Sequence, residues 1–101
     1  MRTLLKVTID VESGNKAILD NSLARIMKET SEKIKPETSF FYSENGKRTC
    51  NMIFDMKDSS EIPVIAEPLF IGLNADVEFY PVMNAEDLEK GITEFMNSLS
   101  K

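Results

Sequence analysis

Histidine is absent from this sequence, cysteine occurs once, and glycine and proline occur four times each. Without histidine the chain lacks the side chain most often used for acid–base work and metal binding near neutral pH. Zinc chemistry has almost no ligands to draw on, and a haem would have no axial imidazole. Cys50 has no partner for an intrachain disulfide. It sits in a strand-like run with no base close in sequence, which fits a packed, inert thiol. The glycines, at positions 14, 46, 72 and 91, are dispersed and form no phosphate cradle. The twelve basic residues form no run against a net charge of −5, which excludes a general nucleic-acid binder. Met1 to Lys6 carries no long apolar stretch, and no Asn-x-Ser/Thr acceptor occurs, so a cytoplasmic location is the expectation, with no membrane partner.

What is present is ordinary soluble composition, 42% apolar and 29% charged, in a length that suits one domain over residues 1–101. Leu4 to Val11 reads as a strand, with Leu5, Val7, Ile9 and Val11 on one face and Lys6, Thr8 and Asp10 on the other. Ser13-Gly14-Asn15 ends it and caps a short turn to Leu19; Asp20-Asn21-Ser22 interrupts and recaps. Leu23, Ile26, Met27, Thr30 and Ile34 then form a helical stripe that Pro36 stops. Thr38 to Ser43 is a second strand, and Asn45-Gly46 predicts a type I′ hairpin to a third strand over Arg48 to Met56. Asp58-Ser59-Ser60 caps a helix with Ile62, Ile65, Ala66 and Leu69 inward, and Pro68 predicts a kink or an end to it. Ala75 to Val82 is a fourth strand, where Pro81 fits an edge strand or a strand's end better than a central one. Asn84 caps a last helix whose apolar face carries Leu88, Ile92, Phe95, Met96 and Leu99.

A hairpin joins strands two and three, and helices join one to two and three to four. Right-handed crossovers then predict an α+β fold of the ferredoxin-like βαββαβ kind with an extra helix, its four-stranded antiparallel sheet ordered 4-1-3-2. The face away from the helices is expected to carry Lys6, Thr8, Asp10, Asn51 and Glu78 with Phe41, Ile53 and Tyr80. Either solvent wets this mixed face or two copies pack sheet to sheet over it; burying such aromatics recovers about 1.5–3 kcal/mol each, which favours the homodimer.

The order of elements resembles the dimeric α/β-barrel superfamily, which includes the antibiotic-biosynthesis monooxygenase-like domains. Ile62-Pro63-Val64-Ile65-Ala66-Glu67-Pro68-Leu69-Phe70 and Pro81-Val82-Met83-Asn84-Ala85-Glu86-Asp87-Leu88 are similar to a group of small uncharacterised bacterial proteins within it. The resemblance implies a dimeric α/β barrel and leaves activity open, because function does not travel with fold.

Two functional classes follow. One is a small homodimeric protein that binds a small molecule or acts as an accessory or structural module, with Lys6, Arg48 and Tyr80 as candidate ligand contacts. The other is a cofactor-independent monooxygenase- or isomerase-like enzyme, with Asp10, Glu78 and Tyr80 as candidate catalytic groups in a partly dry barrel that raises a carboxyl pKa. Lys6 and Glu78 are also placed to pair with each other, a purely structural outcome. Neither class calls for a cofactor, and no haem, zinc or flavin is expected. Asp10-Val11-Glu12 and Asp55-Met56-Lys57-Asp58 are the best material for Mg²⁺ or Ca²⁺, but they lack the spacing of a calcium loop, so no metal is expected.

Overall fold

A computed structural model describes residues 1–100. The element order is β1 (Arg2–Ile9), α1 (Val11–Leu19), α2 (Ser22–Ile34), β2 (Thr38–Glu44), β3 (Lys47–Asp55), α3 (Glu61–Leu73), β4 (Asp76–Pro81) and α4 (Ala85–Ser98). The fold is therefore α+β, with one four-stranded antiparallel sheet in the order β2-β3-β1-β4. Read from the β4 edge, that order is 4-1-3-2.

Alternation in β1 sorts the two faces. Thr3, Leu5, Val7 and Ile9 are buried, whereas Arg2, Leu4, Lys6 and Thr8 are only partly so. The buried set joins Cys50, Met52 and Phe54 of β3 and meets Ala17, Ile26, Ile34, Ile65, Leu69 and Leu73 of the helices in one core. Close helix packing needs a glycine here. A Cβ on Gly72 of α3 would lie 2.5 Å from Cδ1 of Ile26 on α2.

The hairpin turns on Asn45 and Gly46, both at positive φ (53° and 76°), as a type I′ turn requires. That two-residue turn sets Glu44 opposite Lys47, and from there Phe41 opposite Cys50. Phe41 therefore lies on the helix-side face, a correction to its expected place on the open face. Phe40, opposite Asn51, and Tyr42, opposite Thr49, take the open side instead.

Three further expectations are corrected. β1 stops at Ile9, because the Asp10 carboxylate accepts the Ser13 N–H at 3.0 Å and starts α1; Asp10 and Val11 leave the sheet. Pro68 does not end its helix, which continues to Leu73. Pro68 has no N–H for the Val64 carbonyl, four residues back, and Lys33 Nζ of α2 donates to that oxygen at 3.0 Å instead. Ile62, expected inward, is exposed, and Leu73 completes the buried stripe. Pro81 sits on β4, an edge strand, where its missing donor faces away from the ladder.

α4 is well started and poorly housed. Asn84 and Asp87 form a reciprocal capping box, with Asn84 Oδ1 accepting from Asp87 N at 2.8 Å. None of the helix is buried. The body accordingly measures 61 × 28 × 19 Å with a radius of gyration of 16.8 Å, against about 13 Å for a compact chain of this length.

Candidate functional site

The expected site residues divide between the two faces of the sheet. On the open face, register sets Lys6 between Asn51 and Glu78, and Leu4 opposite Tyr80. Lys6 does not pair with Glu78, however. Its ammonium reaches Glu44 Oε2 at 2.6 Å, which raises the Lys6 pKa and lowers that of Glu44. Tyr42 donates to the other Glu44 oxygen at 3.3 Å and accepts from Asn51 Nδ2 at 3.0 Å. Asn51 Oδ1 is left buried with no partner among the described residues. Glu78 is taken by Tyr80, whose hydroxyl donates to it at 2.6 Å; that bond pushes the Tyr80 pKa up, away from use as a base near neutrality.

Asp10 is not part of this group. It caps α1, and its other oxygen accepts from Asn74 Nδ2 at 3.3 Å. The Ser13 bonds, and then Asn74, hold its carboxyl below the usual range, the reverse of what an acid–base role in a dry barrel requires. Of the expected Asp10, Glu78 and Tyr80 constellation, only the last two meet.

Arg48 belongs to the other face and to a different kind of site. Between α1, the start of α2 and the helix-side face of β1, β3 and β2 lies a cavity of about 660 Å³. Its walls are largely apolar, with Val7, Ile9, Leu23, Met27, Phe41 and Cys50 prominent. Leu23, Ala24 and Met27 of α2 line it, and Phe41, on the edge strand, is mostly exposed.

Arg48 supplies charge to this lining. Its Nη2 donates to Asn15 Oδ1 at 3.0 Å and its Nη1 to the Val11 carbonyl at 3.4 Å, both neutral acceptors. Arg48 forms no ion pair among the described residues. Gly14 makes room for it, since a Cβ there would lie 2.5 Å from Nη1. The start of α2 lines the same space through Leu23 and Ala24. Its first turn carries no acidic residue and Asn21 makes no side-chain cap, but the Asp20 carboxylate meets the partial positive charge of the helix end, which leaves Arg48 as the cationic group of the lining. Asp20 accepts only the Ser22 N–H. Cys50 is a wall rather than a nucleophile: burial pushes its thiol up to about 11.

The sequence marked Arg48 as a candidate ligand contact, but the cavity was not legible there. Its visible signal is the hairpin register, which carries Phe41 to the helix side beside Cys50. Among the described residues no group of three or more Cys, Asp or Glu side chains is placed to hold a metal ion. No helix is long and apolar enough to cross a membrane. No protein-family model, curated protein or solved structure matches the chain.

Proposed function

We propose that this chain is a homodimeric, cytoplasmic binding protein for a small, largely apolar organic anion. Its fold is read as ferredoxin-like, with the open sheet faces of two copies closing a dimeric α/β barrel. The element order and the aromatic residues on the open face support that reading. The observation that carries the binding function is the apolar cavity with an arginine that has no carboxylate partner. Its volume falls in the usual range for small-molecule sites, and a few polar groups in an apolar wall are what fix a ligand's orientation. The apolar body of the ligand occupies the space between Val7, Ile9, Met27 and Phe41, and its carboxylate meets Arg48.

The second reading is a cofactor-independent monooxygenase or isomerase working from the open face. It rests on Glu78 and Tyr80 alone, since Asp10 is engaged as a helix cap. It also needs the open face to be covered, because a base gains strength in a dry site. The hydrogen bond between Glu78 and Tyr80 serves structure equally well, and so the cavity is the better-supported site.

Calorimetric titration with decanoate and decanol, on the wild type and on Arg48→Met, tests the binding reading. Decanoate is expected to bind more tightly than the alcohol, and Arg48→Met to remove the difference. A charge-assisted bond of about 1.5–3 kcal/mol corresponds to roughly 10- to 150-fold in affinity. No binding by either probe, or decanoate binding that ignores Arg48→Met, overturns the proposal.

A further inference from the structure

Two of the apolar surfaces without cover lie on opposite sides of the sheet's width. One is the stripe of α4, where Leu88, Ile92, Phe95, Met96 and Leu99 are each more than half exposed. The other is on the open face at the β2 edge, where Phe40 is 64% exposed beside Tyr42. β4, from which α4 departs, is the opposite edge, so three strand spacings, about 14 Å, separate the two.

α4 does not look built to stand alone. A 14-residue helix is marginal in water without packing. Gly91 lowers its helix propensity by about 1 kcal/mol, yet nothing of this chain lies within 4 Å of where its Cβ would be. Gly91 sits beside the stripe, one turn from Leu88 and Phe95, where lack of a side chain admits close approach by another surface. At its start, Asp87 lies 4.0 Å from Arg2, a residue of the open face, so α4 leaves from that side of the sheet.

We propose that α4 is an exchange arm. In a face-to-face pair with its twofold axis along the strands, the β4 edge of each copy lies over the β2 edge of the other. The helix of each copy then lays its stripe on the partner's β2 edge, around Phe40. This rests on the homodimer reading and adds to it which segment crosses and what it covers. The stripe exposes on the order of 500 Å², and Phe40, Tyr42 and Tyr80 bring the contact toward the roughly 800 Å² per partner of a stable interface. The contact is reciprocal and closes on two copies, as an isologous interface must.

The test uses the full chain with Phe95→Asp on the arm and Phe40→Lys on its seat, both exposed positions, so circular dichroism should show an intact fold for each. Light scattering and sedimentation report mass. The wild type is expected at twice 11.4 kDa, and each variant alone should weaken the dimer about 30-fold or more. Mixed in equal amounts, the two variants should re-form a dimer. One arm and seat in the mixed pair are native, and in the other Asp faces Lys. A wild type at monomer mass overturns both the dimer and the arm. A wild-type dimer indifferent to Phe95→Asp overturns the arm and leaves the dimer standing. Two dissociating variants that fail to recover on mixing also overturn it, because Phe95 and Phe40 are then not partners across the interface.

Discussion

Gly14→Ala separates binding from stability at the cavity. The new methyl would sit 2.5 Å from Arg48 Nη1 and 3.3 Å from its Cδ and Cζ, so the guanidinium must retreat by about 1 Å to reach ordinary contact. Retreat breaks the bonds to Asn15 and the Val11 carbonyl, an exposed pair worth about 0.5–1.5 kcal/mol. Against this, alanine is better than glycine in a helix interior by about 0.8–1.0 kcal/mol. The two nearly cancel, and urea unfolding followed by circular dichroism should move by no more than about 0.5 kcal/mol. Decanoate affinity should fall at least about tenfold, because the displaced charge no longer meets the carboxylate. In an Arg48→Met background the clash is relieved, and Gly14→Ala should then stabilise by most of its helix-propensity gain. An equal effect of Gly14→Ala in both backgrounds would show that Arg48 is not what the methyl meets, and the account of the cradle would fail.

Two other predictions test neighbouring features. With its thiol pushed up to about 11, Cys50 should be alkylated at pH 8 about 100-fold more slowly in the folded protein than in urea, and equal rates would contradict its burial. The sign for stability follows: the folded state holds the proton more tightly, so this contribution is lost as pH rises past the unfolded thiol's value near 9. Lys33→Met should cost about 0.5–1 kcal/mol in the wild type but little in a Pro68→Ala background, where residue 68 itself donates to the Val64 carbonyl; a cost unchanged by Pro68→Ala would refute that link.

How far the sequence was readable depends on the reach of each signal. Local chemistry read well: the Asn45-Gly46 turn, the Asn84 cap and the edge position of Pro81 each state their geometry within a few residues. Phe40-Phe41-Tyr42 offers no alternation, so the run by itself does not say which ring faces the helices. The two-residue turn does say it, once Cys50 is known to point inward. Asp10 was ambiguous because an aspartate at the end of an alternating strand is also a good helix cap, and capping won. Lys6 and Glu44 lie on strands separated by β3, a diagonal contact that no short-range pattern encodes. The cavity was hidden for the same reason, since residues of two helices and three strands combine to line it.

The two sheet edges carry unequal protection against unwanted growth. β4 presents Asp76, Glu78 and Pro81, charges and a missing donor that discourage another strand from adding there. β2 presents Ser39-Phe40-Phe41-Tyr42-Ser43, an uncharged, aromatic, proline-free stretch of the kind that stacks into fibrils. Its flanking acids, Glu37 and Glu44, act as gatekeepers, but Arg2 and Lys6 neutralise them. A partner's arm laid over Phe40, as proposed, would guard solubility as well as architecture. A chain deprived of that cover would face a choice between staying dilute and polymerising along β2.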